Sequence, residues 1–205
     1  MDKNLPTPYP YELTFIDHVI MDLVEPKSKV LDLGCGDGRL LHALAIKKEA
    51  SVQGVELSEE AIYRCVEKGI SVTHADIDSG LTEYPDGAFD YVILNQSLPE
   101  IKQVDFVLQE SLRVAKKVIV AFPNFAHLKA RIYLGIYGRA PVTKELPNPW
   151  YDTPSLRFLS IQDFFDYCKE HHFKILTKRF CSKDQPVHLL PNLFATHAIF
   201  LIVQN

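Results

Sequence analysis

Three observations predict a Rossmann-like, doubly wound α/β sheet for this chain. Strand-like and helix-like segments alternate strictly from Val30 to Phe122. The first strand-like run, Val30-Leu-Asp-Leu33, passes directly into glycines at alternate positions: Gly34, Gly36 and Gly38. An acidic residue, Glu56, ends the second strand-like run twenty positions after Gly36. Strict alternation demands parallel strands joined by crossover helices, which cover both faces of the sheet. A strand, a glycine loop, a helix and then an acid make a nucleotide cradle. The glycines let backbone approach a ligand, and the carboxylate holds a ribose.

Each element follows from its own residues. Residues 11–25 place Leu13, Ile16, Ile20, Leu23 and Val24 at helical spacing, and Pro26 ends that helix. After the glycine loop, residues 39–47 read as a helix and residues 51–56 as the second strand. Ser58 is an N-cap for a helix with Ala61, Ile62 and Cys65 on one face, and Gly69 stops it. Residues 70–74 form a third strand, followed by Ala75-Asp-Ile-Asp78. Pro85-Asp-Gly87 is a turn into a buried fourth strand, residues 89–94. Residues 103–114 form a helix, and residues 117–122 a fifth strand stopped by Pro123. A helix over 125–138 fades at Gly135 and Gly138. Across 139–157, Pro141, Pro147, Pro149 and Pro154 exclude regular structure. A loop this long in a compact domain is functional or disordered, and its Trp150 and Tyr151 argue for order. Ser160 caps a helix through Cys168, and strands over 173–180 and 195–203 close the chain as an antiparallel edge pair.

With 205 residues, 47% hydrophobic and 23% charged, a single domain over 1–205 is expected. No apolar run is long enough to span a membrane, and Met1-Asp-Lys-Asn-Leu-Pro lacks the order of a signal peptide. Cys35, Cys65, Cys168 and Cys181 form no Cys-x-x-Cys pair, which fits a reduced, cytoplasmic protein without a zinc site. His171-His172 has no third ligand at metal spacing. A net charge of −4 argues against a general nucleic-acid binder. The charge is uneven: residues 1–110 hold nine Lys/Arg against twenty Asp/Glu, residues 111–205 thirteen against six. Either two solvated ends differ in composition, or a basic C-terminal surface meets an acidic partner or a carboxylate ligand.

Gly34-Cys-Gly-Asp-Gly38 is one residue tighter than the dinucleotide pattern Gly-x-Gly-x-x-Gly, which disfavours an NAD-dependent dehydrogenase. The tighter form resembles motif I of class I S-adenosylmethionine (SAM)-dependent methyltransferases, whose sheet ends in an antiparallel strand. That resemblance implies SAM, or its product S-adenosylhomocysteine, as the ligand. Backbone at Gly34, Cys35 and Gly36 would border the methionyl part, with Asp32 near its ammonium. Glu56 would accept from the ribose hydroxyls, with Leu57 beside it. Asp76 would accept from the adenine amine while Ile77 covers the ring, and Asn95 and Gln96 would face the methyl group. The Cys35 side chain reads as packing rather than reactive. Amide-methylating enzymes of this fold carry Asn/Asp-Pro-Pro-Tyr/Phe where this chain has Asn95-Gln-Ser-Leu-Pro99. No catalytic residue is therefore assigned. His127, Tyr137, Tyr151 and Asp152 are only polar side chains near the proline-rich insert.

Further motifs narrow the resemblance. The runs from Val30 to Leu41 and from Asp90 to Leu98, with Phe122-Pro-Asn-Phe125 and Gly138-Arg-Ala-Pro-Val-Thr143, are similar to the MetW family of methionine-biosynthesis proteins. So are Leu146-Pro-Asn-Pro-Trp-Tyr-Asp-Thr-Pro154 and Ile161-Gln-Asp-Phe164. After Pro154 the family reads Asn-x-His, where this chain has Ser155-Leu-Arg157. The resemblance implies a SAM-binding protein that binds homoserine O-acyltransferase and supports its activity, with the insert 139–157 as lid or docking surface. An intact SAM loop without a catalytic motif suggests a sensor. The alternative is a SAM-dependent small-molecule methyltransferase.

Overall fold

The strand-like runs all enter one sheet. The computed structural model describes residues 12–143 and 146–205. The expectations for Met1–Pro6, for Tyr11 and for positions 144–145 of the insert lie outside the described residues. The first half runs α1 (Phe15–Leu23), β1 (Lys29–Leu33), α2 (Arg39–Lys48), β2 (Ser51–Glu56), α3 (Glu59–Glu67), β3 (Ser71–His74) and β4 (Phe89–Asn95). The second runs α4 (Val104–Val114), β5 (Ala115–Pro123), α5 (Leu128–Gly135), α6 (Ile161–Glu170), β6 (Phe173–Ser182), β7 (Gln185–Pro186), α7 (Pro191–Phe194) and β8 (His197–Gln204). The strand order is β3-β2-β1-β4-β5-β8-β6-β7. β1 to β5 pair in parallel, and β8 pairs antiparallel with β5 and with β6. This is the Rossmann-like arrangement with an antiparallel C-terminal strand.

The period-two alternation of strands divides the core into two layers. Leu31, Val92, Leu94, Val120 and Phe200 face α4 and α6, packing with Leu108, Leu112 and Phe164. Their alternates Val30, Ile93, Ile119 and Ile199 face α1, α2 and α3, packing with Ile20, Leu41, Leu44 and Cys65. A sheet covered on both faces needs strands that are apolar at every position, which is why β4 and β5 read as continuous hydrophobic runs.

Helix ends follow their caps. Thr14 accepts from the Asp17 N–H and Asp17 returns the bond to the Thr14 N–H, so α1 starts at Phe15. Ser58 and Ser160 cap α3 and α6 as their positions predict. α5 is shorter than the predicted 125–138, because the Asn124 side chain accepts the Ala126 N–H and holds that segment as a turn. β5 starts at Ala115, with no loop after α4. The last two long strands extend the sheet beyond β5 as the expected antiparallel pair, with β8 between β5 and β6, and Ile199, Phe200 and Ile202 are fully buried. The short β7 and α7 have too few residues to show a period and were not predicted. Among the described residues of 139–157 there is no helix or strand, as the prolines dictate.

Candidate functional site

The strand order reverses between β1 and β4, which opens a crevice at the carboxyl ends of the strands. Gly34, Gly36 and Gly38 follow β1 with φ of 77°, 56° and 75°, a left-handed backbone. A Cβ at Gly34 would lie 3.1 Å from the Ser97 Cβ, whereas one at Gly36 would meet nothing within 4 Å. The loop therefore offers bare backbone to open space at Gly36. Two side chains fix it. Glu56 Oε2 accepts the Gly36 N–H at 2.9 Å, while Oε1 accepts the N–H groups of Leu57 and Ser58, each at 2.9 Å. Lys68 Nζ, reaching from the end of α3, donates to the Asp37 carbonyl at 2.7 Å.

A cavity of about 370 Å³ occupies the crevice, a volume suited to a small molecule. It brings together Gly34, Glu56, Leu57, Asp76, Ile77, Asn95 and Gln96 from the ends of four strands. It adds Asp78, Ser97, Glu100 and Ile101, which sequence reasoning had not singled out. Every ionisable side chain among the described lining residues is an acid: Glu56, Asp76, Asp78 and Glu100. Such a lining repels a pyrophosphate and suits a cationic ligand. SAM is one, since its sulfonium and ammonium outweigh its single carboxylate.

Among and behind these lining residues are buried polar atoms with no partner. The Asn95 amide donates to Asp17 Oδ1 at 3.0 Å, and its own carbonyl oxygen is buried and unpaired, as is the Ser97 hydroxyl. Asp32 is 2% exposed, and its Oδ1 is also unpaired. Buried orphans of this kind mark places where a bound group would complete the hydrogen bonding. An ammonium at Asp32 and hydroxyl or amine donors at the crevice fit what SAM carries. SAM would supply a methyl group on a sulfonium sulfur.

Burial pushes the Asp32 carboxyl up to about 8 from its ordinary 3.8, helped by the charges of Asp17, Cys65 and Glu56 and opposed by Arg39. A value raised in the folded state contributes stability that is complete below about pH 4 and is lost as the pH rises to about 8. Urea unfolding at pH 6, 7 and 8 should therefore show the native protein losing ground to Asp32→Asn, by on the order of 1 kcal/mol per pH unit. Parallel pH profiles for the two proteins would contradict that reading.

The Cys35 side chain turns away from the crevice. Its Sγ lies where a Cβ on Gly54 would sit 2.4 Å away, and 3.8 Å from Cys65 Sγ. The contact with Cys65 and burial hold the Cys35 thiol far above its ordinary titration range. What this residue can offer a ligand is backbone. Of the other polar residues noted in the sequence, Tyr137 and Tyr151 are exposed on the insert side, and His171 pairs with Asp105 at 3.2 Å. Among the described residues no group of three His, Cys, Asp or Glu could hold a metal, and no helix is long and apolar enough to cross a membrane.

A profile of the family described as methionine biosynthesis protein MetW matches residues 16–202. The chain belongs to the MetW family. It is 35% identical over 84% of its length to the bifunctional methionine biosynthesis protein MetXA/MetW of Rhodopirellula baltica, of which it covers 29%. It is 29% identical over 62% of its length to the ubiquinone biosynthesis O-methyltransferase of Methylococcus capsulatus, of which it covers 56%. The chain thus spans less than a third of the first relative and about half of the second. A SAM-dependent methyltransferase from Thermotoga maritima shares the fold at a TM-score of 0.64 and 17% identity, with 93% of this chain and 89% of that one covered.

The MetW-like motifs have distinct physical roles here. Asn124 of Phe122-Pro-Asn-Phe125 is 4% exposed and works as a joint. Its amide donates to the carbonyls of Asn192 and Ala195, and its oxygen accepts the N–H groups of Ala126 and Ile161. It thereby ties β5 to α7 and to the start of α6. The insert is anchored where Leu156 and Arg157 donate their N–H groups to the Pro99 carbonyl at 2.8 and 3.1 Å. Arg157 also donates to the Lys102 carbonyl. The insert consequently closes beside the crevice rather than hanging free. Sequence reasoning missed Asp17, whose side chain is fully buried and accepts from Asn95 and from Arg39 Nε at 3.1 Å. The signal was present in Thr14-x-x-Asp17, an N-terminal capping box. A larger cavity, about 640 Å³ between α4 and α6, shares no residue with the crevice.

Proposed function

We propose that this MetW-family protein is a SAM-binding subunit that docks on homoserine O-acyltransferase in the cytoplasm and couples its activity to SAM. The reading takes 1–205 as one domain, with Asp32, Gly34, Cys35 and Gly36 along the methionyl part of SAM, Glu56, Leu57, Asp76 and Ile77 around its nucleoside, and Asn95 and Gln96 facing its methyl group. SAM binding is carried by the acid-lined crevice, which has no basic side chain among its described lining residues. Docking is carried by the insert. Trp150 and Tyr151 are 75% and 74% exposed and pack edge to face against each other, with ring centroids 5.6 Å apart. A surface so rich in exposed aromatics has the composition of an interface centre. The name MetXA/MetW of the Rhodopirellula relative places two named proteins in one polypeptide, which supports a working association.

The test mixes the purified protein with homoserine O-acyltransferase, with and without SAM. Added protein should raise acyltransferase output and co-purify with the enzyme. Trp150→Ala should weaken the association about tenfold or more while leaving SAM affinity unchanged. Acyltransferase output and co-purification indifferent to the protein would end the docking reading. Turnover of SAM with a metabolite panel would then favour a small-molecule methyltransferase, a reading supported by a second cavity beside the crevice, under the insert, with which it shares Gln96 and Glu100.

A further inference from the structure

That second cavity, about 580 Å³, lies between the insert and the ends of β4 and β5. It adjoins the crevice, and Gln96 and Glu100 line both. Its walls are ring-rich: Phe125, Trp150 and Phe158 stand with Pro141, Pro147 and Pro154. Phe125 and Phe158 pack with centroids 4.7 Å apart, yet Phe158 and Trp150 remain 54% and 75% exposed. Considerable aromatic surface therefore faces the cavity and its mouth uncovered.

The charge in this cavity is of one sign. Glu100 is the one ionisable side chain among the described residues that line it. No described side chain donates a hydrogen bond to its carboxylate, and none forms an ion pair with it. Desolvation and the nearby Glu56 charge push the Glu100 carboxyl upward. An anionic ligand would add to that repulsion. A neutral ligand would strip water from the carboxylate and return nothing. A cation compensates the carboxylate and is also attracted by aromatic faces. Gln96, at the boundary of the two cavities, holds φ at 65° without being glycine, a strained backbone of the kind kept where a site demands it.

We propose that the cavity beneath the insert is a second ligand pocket, for an organic cation with a flat apolar body. Its charge rests against Glu100 and its body against the aromatic and proline rings. The pocket stands apart from the docking proposal, since a cation can bind whether or not the insert also meets a partner.

The chain has one tryptophan, Trp150, so its emission reports on this pocket directly. Phenethylamine, protonated at pH 7.5, is titrated against 3-phenylpropionate and 2-phenylethanol, by fluorescence and by calorimetry. Phenethylamine should give a saturable change and bind about tenfold or more tighter than 3-phenylpropionate. Glu100→Gln should lower phenethylamine affinity about tenfold and leave 2-phenylethanol affinity the same or higher, with an unchanged thermal midpoint as the folding control. Phe158→Ala should weaken phenethylamine and 2-phenylethanol alike. Each titration is repeated with S-adenosylhomocysteine present. Displacement of phenethylamine by it would put the amine in the crevice and overturn the assignment. No saturable change, equal affinity for the acid and the amine, or full amine affinity in Glu100→Gln would overturn it as well.

Discussion

Glu56→Ala is expected to weaken SAM binding at least about a hundredfold, because two charge-assisted hydrogen bonds contribute about 1.5–3 kcal/mol each. The effect has a second part. In the free protein the Glu56 carboxylate already accepts the N–H groups of Gly36, Leu57 and Ser58. It holds the glycine loop in its left-handed course before any ligand arrives, so the variant loses preorganisation along with the proposed ribose contact. Glu56→Gln separates the two. The amide oxygen can still accept on one side of the loop, from Leu57 and Ser58 or from Gly36, while its NH2 faces the other side and the charge is gone, so a loss of about tenfold is expected, smaller than in Glu56→Ala. Calorimetric titration with SAM and S-adenosylhomocysteine measures both variants. Unaltered affinity in Glu56→Ala would remove the ribose assignment. Equal losses in the two variants would mean that the one acceptor oxygen retained in Glu56→Gln contributes nothing.

The largest stability effect is expected at Asp17. Its side chain is fully buried at the start of α1, yet it meets three separate elements. It closes the α1 capping box with Thr14, accepts from Arg39 at the start of α2, and accepts from the Asn95 amide at the end of β4. Asp17→Ala removes the return bond of the capping box, leaving the Thr14 cap in place, and the anionic half of a buried network. Arg39 keeps 39% side-chain exposure and can return to water, so the total is about 3 kcal/mol rather than the upper end for buried pairs. For a chain of this size that lowers the midpoint of thermal unfolding by about 6–12 °C. Asp17→Asn, which keeps the shape without the charge, should lose about half as much. Freeing the Asn95 amide should also weaken SAM binding, because the side chain loses the bond that orients it. A shift below about 2 °C in Asp17→Ala would show that the network contributes little.

The alternation of elements, the glycine loop and Glu56 are legible in the sequence because each is a local rule. Backbone sterics place glycine where φ must be positive, and the period of apolar residues separates strand from helix within a few residues. The same locality explains why the caps at Ser58 and Ser160 were readable. The crevice itself was partly legible. Gly34, Glu56, Asp76 and Asn95 each sit at a strand end, and parallel strands bring their carboxyl ends together. Family motifs added the insert but not its anchor on Pro99, since nothing in Pro99 itself marks its carbonyl as an acceptor.

The rest was settled by pairing across distance. Asn95 and Asp17 are 78 residues apart, and whether they meet depends on β4 lying next to β1 with α1 packed over that face. The C-terminal strand is interior because β8 pairs with β5 on one side and with β6 on the other, a choice among strand orders that periodicity cannot rank. Glu100 and Ser97 become site residues only once the turn after β4 is folded under the insert. The sequence by itself determined the kind of fold, the glycine loop after β1 and the family. The tertiary structure alone decided which acids share one crevice, which buried oxygens lack partners and where a second cavity opens. A residue's conformation is set by its neighbours in the chain, whereas its partners are set by the order in which the whole sheet assembles.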